Sequence, residues 1–172
     1  AVIGTSSNRR ASQLKLMRPD INTVPIRGNI QTRIDKIEKE NLDGIILAAA
    51  GIKRLNIEYL IAEYFSPYEL IPAVGQGALG IEILKKSPNT HIFRSLDNAD
   101  VRVCVEAERS FMRELQGGCH TSLGAYAVIE GSSMQITGIF DVGGRLVKKD
   151  ITGDIEDYIE LGKRLARKIL NA

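Results

Sequence analysis

The sequence predicts an α/β region with a parallel sheet, followed by a smaller α+β region with an antiparallel sheet. As far as residue 71, short apolar runs alternate with stretches of helical periodicity, which is typical of βαβ units. From residue 96 onward, one long amphipathic stretch precedes three apolar runs that are separated by glycine-containing turns. A chain of 172 residues with 44% hydrophobic content is large enough to bury both cores.

Residues 1–71 are predicted to contain three strands, each followed by a helix. A serine or threonine before a helical stretch caps free backbone N–H groups, so Ser7 marks the start of the first helix. Ile30, Ile34 and Ile37 share one face of the second helix. The predicted strands are 2–4, 23–26 and 45–50, with Gly51 ending the third, and the predicted helices are 8–17, 30–40 and 57–65.

The three predicted strand ends in this region carry hydroxyl groups and arginines. Carboxyl ends of parallel strands meet at one edge of the sheet, where α/β folds bind ligands. Arginine offers a planar fork that matches carboxylate or phosphate. Residues 1–54 hold ten basic and five acidic side chains, although the whole chain carries only +2. The sequence therefore predicts an anion-binding cleft from segments 5–10, 27–29 and 51–54.

Residues 72–95 are predicted to be a glycine-dotted strand, 73–83, and a linker. Gly75, Gly77 and Gly80 have the spacing of a dinucleotide fingerprint. That motif must open a helix, whereas an alternating apolar stretch follows here, so we do not expect a nucleotide site.

Residues 96–172 are predicted to form a three-stranded antiparallel sheet with two helices. The helices are expected at 99–115 and 156–170, and the strands at 122–129, 134–140 and 146–151. Cys104 falls on the first helix and is expected to be a buried, apolar side chain. Cys119 follows the Gly117-Gly118 pair, where it is either a loop cysteine without a task or an accessible, reactive thiol.

Composition argues against several classes of function. Aromatic content of 5%, the lack of tryptophan and the small net charge disfavour nucleic-acid binding. No apolar run approaches the roughly 20 residues that span a bilayer. His120 adjoins Cys119 without a further set of ligands, so no metal site is expected. We expect a cytoplasmic, monomeric protein, and the start at Ala1 inside a strand suggests a piece of a longer polypeptide.

Six motifs occur in order along the chain, at 4–10, 27–29 with 32–33, 47–55, 72–78, 80–82 and 117–119. They give the chain a resemblance to the porphobilinogen deaminase (hydroxymethylbilane synthase) family. It extends over essentially the whole chain but only the later part of the family's sequence, so an N-terminal domain is expected to be missing.

The resemblance implies a transferase of porphyrin and heme biosynthesis. The family joins four porphobilinogen molecules into the linear tetrapyrrole hydroxymethylbilane and releases ammonia at each step. A dipyrromethane cofactor is bound by a thioether, and Cys119 matches the cysteine that holds it. The other residues implied to bind the cofactor are Ser7, Arg9, Arg10, Arg33, Gly51 and Arg54, and those implied to bind substrate are Thr5, Ser6, Arg27 and Gln76.

The resemblance also implies what this chain does not carry. The family's catalytic aspartate belongs to the N-terminal domain, so no residue here is assigned that role. Segment 72–95 is implied to pair with that domain, and the isolated chain is expected to be inactive. The implied partners are porphobilinogen, the growing oligopyrrole and the missing domain.

A non-catalytic module that binds anions or organic acids is the alternative. Residues 1–71 would then act as a periplasmic-binding-like domain that does no chemistry. This alternative explains the arginine-rich strand ends. It leaves the Gly-Gly-Cys corner and the α+β region without a role.

Overall fold

The computed structural model describes residues 1–116 and 121–172, and it contains two separate three-stranded sheets. One sheet is parallel, in the order β2-β1-β3, and the other is antiparallel, in the order β4-β5-β6. This confirms the predicted combination of a parallel and an antiparallel sheet with helices. The strands are β1 Val2–Gly4, β2 Asn22–Val24, β3 Gly44–Ile45, β4 Gly124–Glu130, β5 Ser133–Val142 and β6 Arg145–Asp154. The helices are α1 Asn8–Met17, α2 Ile30–Lys39, α3 Ala49–Arg54, α4 Thr90–Arg94, α5 Ala99–Glu114 and α6 Tyr158–Leu170.

The parallel sheet places the starts of α1 and α2 at one edge. In β1, Ile3 lies opposite Thr23 of β2 and Gly44 of β3. The Ser7 hydroxyl accepts a hydrogen bond from the backbone N–H of Arg10, and the Asn29 side chain does the same for Thr32. Both helices therefore begin with a side-chain cap directly after a strand and its loop.

The predicted third strand, 45–50, is present, but the prediction was wrong beyond Ile45. β3 consists of Gly44–Ile45 alone, and residues 49–54 form helix α3. Alanine has the highest helix propensity, so the Ala48-Ala49-Ala50 run favours a helix once Ile52 packs into the core. Gly51 consequently lies inside a helix, where an added Cβ would come within 2.7 Å of Ile30 Cδ1.

Two other predicted elements are absent from the described structure. Of residues 57–65, only Glu58–Leu60 form a short 3₁₀ turn, and Tyr59 and Leu60 are exposed. A short helix without a packed apolar face is marginal in water. Residues 73–83 form turns and irregular chain rather than a strand, with positive φ at Gly75 and Gly77. No neighbouring strand among the described residues pairs with them, so nothing supplies the hydrogen bonds of a ladder.

The antiparallel sheet and two helices enclose the larger core. In β5, Ile136 lies opposite Ala127 of β4 and Ile151 of β6. Helices α5 and α6 pack on this sheet through the fully buried side chains Phe111, Met134, Leu161, Leu165 and Ile169. Cys104 is half-buried against the same core, and burial raises the pKa of its thiol.

The helices in the described ranges are short or amphipathic. None of them combines the length and the apolar character that crossing a membrane requires.

Candidate functional site

The loops after β1, β2 and β3 form one edge of the parallel sheet, which we call the anion edge (residues 5–7, 25–29 and 46–48). The Ser6 hydroxyl donates to Ile26 O at 2.6 Å and accepts from Ile26 N at 2.9 Å. Thr5 is buried, and its hydroxyl oxygen accepts from Ser7 N at 3.3 Å. Ser6 therefore joins the loops after β1 and β2, whereas the Thr5 hydroxyl stabilises its own loop.

A cavity of about 260 Å³ lies at the anion edge, and we call it the arginine cavity. Arg10 Nη1 donates to Ile46 O at 3.0 Å, and Arg33 Nε donates to Gly28 O at 2.7 Å. Each guanidinium has five N–H donors, so most of its donors remain for a ligand. The lining consists of Arg10, Gly28, Asn29, Ile30, Arg33, Leu47, Ala48 and Gly51.

The arginine cavity carries positive charge without a carboxylate in its lining. Burial lowers the pKa of Arg10, and the nearby charge of Arg33 lowers it further. Two like charges at a partly buried site favour an anion, because the anion removes their repulsion and binds their free donors. The cavity is therefore suited to a carboxylate or a phosphate.

Arg27 and Arg54 lie outside the lining of the arginine cavity. Both side chains are exposed, Arg27 just after β2 and Arg54 at the end of α3. Neither guanidinium has a hydrogen bond or an ion pair with the residues that the structure describes. They remain available to ligands near the cavity, but the structure does not bring them together with Arg10 and Arg33.

Arg9 and Gln76 meet each other away from the arginine cavity. The Arg9 side chain is buried, and its Nη2 donates to Gln76 Oε1 at 3.1 Å while its Nη1 donates to Ile71 O. Burial, followed by the charge of Arg10, lowers the pKa of Arg9 to about 10. Arg9 thus stands at the junction of the two regions, and its described partners are neutral acceptors.

Two buried polar residues at this junction were missed by the sequence analysis. Gln13 exposes 3% of its surface, and its side chain bonds to the backbone of Ile71. Glu108 exposes 6% and accepts hydrogen bonds from Gly75 N at 2.7 Å and Ala127 N at 3.0 Å. Burial raises the pKa of Glu108. The positions of these residues on their helices could have indicated their burial. Gln13 lies one turn after Arg9, and Glu108 lies between Ala107 and Phe111 of the apolar stripe.

A second and larger groove, of about 1040 Å³, runs between residues 74–83 and α5. Two of its arginines are already paired, because Arg102 Nε donates to Asp97 Oδ2 at 3.1 Å and Arg109 Nη1 donates to Glu106 Oε1 at 2.9 Å. Carboxylates in the lining make this groove a poorer anion site than the arginine cavity, despite its size.

Cys119 lies outside the described residues, together with Gly117, Gly118 and His120. The prediction of a thiol that holds a cofactor therefore stays a prediction. Within residues 1–116 and 121–172, no three His, Cys, Asp or Glu side chains are grouped so that they could hold a metal ion.

Each of the two regions matches the model of a known protein family. Residues 1–92 match the family model described as "Porphobilinogen deaminase, dipyromethane cofactor binding domain", and residues 102–171 match "Porphobilinogen deaminase, C-terminal domain". The chain belongs to the porphobilinogen deaminase family. This confirms the resemblance that the six motifs indicated.

Curated relatives agree with this assignment. The chain is 64% identical over 170 residues to the porphobilinogen deaminase of Clostridium acetobutylicum. The aligned residues cover 99% of the chain and 58% of this relative. It is 60% identical over 171 residues to the porphobilinogen deaminase of Clostridium kluyveri, and the aligned residues cover 99% of the chain and 59% of this relative. The chain therefore spans somewhat less than three fifths of the length of these relatives.

Proposed function

We propose that this chain is the later part of a transferase that joins four porphobilinogen molecules into hydroxymethylbilane and releases ammonia at each step. The observation that carries the proposal is the arginine cavity, which lies in the region matched by the cofactor-binding family model. Every pyrrole of the substrate and the product bears an acetate and a propionate. A site for such molecules must neutralise several carboxylates.

Arg10 and Arg33 are the residues that hold a pyrrole carboxylate in the arginine cavity. They supply charge and free donors at a partly buried site, where charge-assisted hydrogen bonds are strong. Ser7 caps α1 and fixes the turn from which Arg10 projects. Arg27 and Arg54, which are exposed near this edge, take further carboxylates as the oligopyrrole grows.

The remaining assigned residues shape the site. Ser6 joins the loops after β1 and β2, and Thr5 stabilises the first of these loops, so both serve substrate binding through the geometry of the anion edge. Gly51 allows α3 to approach Ile30 closely enough to line the cavity. Arg9 and Gln76 hold each other at the junction of the two regions.

A dipyrromethane group fits the chemistry of this donor set, because its carboxylates match the unpaired cations of the arginine cavity. Held by a thioether to Cys119, it would supply a covalently bound primer for chain growth. The residues of this chain bind and orient carboxylates, and none of them is proposed as the catalytic acid. We assign that role to an aspartate in a further N-terminal domain, against which residues 72–95 pair.

The proposal also includes the pathway, the cellular location and the oligomeric state of the protein. The family acts in porphyrin and heme biosynthesis, and we propose a cytoplasmic monomer whose first region, residues 1–71, is periplasmic-binding-like. The second region, residues 96–172, carries Cys119.

A non-catalytic anion-binding module remains the second candidate, and one observation favours it. The whole lining of the arginine cavity comes from residues 10–51, so the cavity needs nothing from residues 72–172. A module that merely holds an organic acid would be complete without Cys119.

A chimera separates the two candidates. In it, this chain replaces the matching region of the Clostridium acetobutylicum relative, and consumption of porphobilinogen is measured. The transferase proposal predicts consumption by the chimera, its loss in Cys119→Ser, and its retention in the control Cys104→Ala. Consumption that survives Cys119→Ser would contradict the transferase proposal. The isolated chain should consume no porphobilinogen, and its intact mass should carry no adduct.

A further inference from the structure

The two regions meet at Ile71, a fully buried residue between them. Both backbone polar groups of Ile71 are bound by the side chain of Gln13, which precedes it by 58 residues. Gln13 Oε1 accepts from Ile71 N at 2.7 Å, and Gln13 Nε2 donates to Ile71 O at 3.1 Å. This side chain therefore pairs with the backbone of Ile71 as a neighbouring strand would.

The next residue attaches the same segment to the second region. Ala125 of β4 donates its N–H to Pro72 O at 3.1 Å. A Cβ on Gly124 would come within 2.5 Å of Pro72 O, so only glycine permits this approach. Residues 71 and 72 are thus held on one side by α1 and on the other by β4, and we call this contact the Ile71 junction.

Further contacts cross the junction. The Ser12 and Ser122 hydroxyl oxygens lie 2.8 Å apart, and Lys148 Nζ donates to Tyr68 O at 2.6 Å. The rings of Tyr68 and Tyr126 meet edge to face. Domains within one chain are expected to move relative to one another unless their interface is large and hydrophobic or specific contacts prevent it.

Helix α1 connects the Ile71 junction to the arginine cavity. Arg9 and Gln13 are four residues apart and share one face of the helix, which is turned toward Ile71. Arg10 follows Arg9 by one residue, about 100° around the helix, and its side chain lines the cavity. A shift of α1 at the junction therefore moves Arg10 as well.

We propose that Gln13 is a positioning residue that fixes the arginine cavity relative to the second region. It does so by binding both backbone groups of Ile71, so that α1 and β4 keep a single separation. The importance of a fixed separation for pyrrole binding rests on the proposed function. The fixed separation itself does not. A purely structural role would instead have Gln13 stabilise its own region without setting the distance between regions.

Distance measurement between spin labels distinguishes these roles. In the chain with Cys104→Ala and Cys119→Ala, labels are placed at Lys39→Cys on α2 and Arg164→Cys on α6, both exposed positions. Gln13→Met removes the two hydrogen bonds between the Gln13 side chain and Ile71 at nearly constant side-chain length, and it leaves the bond from Arg9 Nη1 to Ile71 O in place. The matched control is Gln31→Met, since Gln31 is exposed and its amide donates only to Asp35 on the same helix.

The proposal predicts one narrow distance distribution for the parent chain and for Gln31→Met, and a broad one for Gln13→Met. Amide hydrogen exchange should meanwhile show unchanged protection in β1–β3 and in β4–β6. A narrow distribution in Gln13→Met would overturn the proposal, as would broadening accompanied by lost protection in either sheet. Porphobilinogen titration of the parent chain tests the proposed function separately, because the distance result does not depend on binding.

Discussion

At the scale of single residues, two neighbouring arginines face different parts of the molecule. Arg10 lines a cavity without carboxylates, while Arg9 is buried against Ile71 and Gln76. The sequence predicted that both belong to one anion-binding cleft, because adjacent arginines at a strand end look alike in sequence. Which arginine faces which part of the molecule depends on how α1 is oriented toward Ile71, a residue more than 60 positions away. Local sequence patterns carry no information about that orientation.

Replacing Arg10 by methionine should weaken the binding of porphobilinogen about ten- to hundredfold, because a hydrogen bond to a charged group contributes about 1.5–3 kcal/mol. The measurement is calorimetric titration of the isolated chain at low ionic strength. Arg18→Met is the matched control, since Arg18 follows the same helix and pairs only with Asp20 at the surface. Equal losses in the two variants would show that general charge, rather than the cavity, governs binding.

Glu108 should give the stability of the chain a dependence on pH that its amide variant lacks. Burial raises the pKa of Glu108 above the usual 4.5, so its stabilising contribution is complete at low pH and is lost as pH rises through the folded-state pKa. The free energy of unfolding of the parent chain minus that of Glu108→Gln should therefore fall as pH rises above 4.5.

The Glu69 carboxyl should give stability the opposite dependence on pH. Hydrogen bonds from Ser66 lower the pKa of the exposed Glu69 carboxyl, so its contribution is present at higher pH and lost as pH falls. Denaturant titrations over the same pH range should give a difference of the opposite slope for Glu69→Gln. Slopes of the same sign for both variants would contradict the assigned environments.

At the scale of elements, the long helices, the hairpins and the first two short strands were predictable, whereas the extent of the third strand and the conformation of residues 73–83 were not. Helix α5 and the hairpin of β4 and β5 follow from apolar periodicity and turn residues, which are local properties. Residues 45–50 and 73–83 have apolar patterns typical of strands, but β3 is only two residues long and the second stretch forms none. Strand formation needs a neighbour with free backbone groups, and the sequence of the strand alone does not supply that information.

Gly162 should not tolerate alanine, although it lies inside helix α6. A Cβ there would come within 2.3 Å of Ala107 O and 2.9 Å of Phe111 N, both backbone atoms of α5. Overpacking of this kind costs about 1–3 kcal/mol, which outweighs the gain of about 1 kcal/mol in helix propensity. Thermal unfolding should show a lower Tm for Gly162→Ala and little change for the control Gly80→Ala, where an added Cβ meets nothing within 4 Å. A higher Tm for Gly162→Ala would show that α5 and α6 do not approach so closely.

At the scale of the whole molecule, the two regions have separate sheets and cores and join through the Ile71 junction. The edge at which the arginine cavity lies was predictable, because strand order and helix starts bring residues 5–10 and 27–33 to one place. The burial of Gln13 and Glu108 was not, since it depends on how the two regions pack. We propose that the arginine cavity, rather than the larger groove beside α5, receives the carboxylates of a pyrrole.

Titration of the isotopically labelled chain with porphobilinogen, followed by NMR, shows which of the two sites binds the pyrrole. We predict saturable shifts at the backbone amides of Gly28, Asn29 and Gly51 and at the guanidinium groups of Arg10 and Arg33, which surround the cavity. Shifts that concentrate instead at Val101, Arg102 and Val105 in the larger groove, or the lack of any saturable shift at the cavity, would contradict the account.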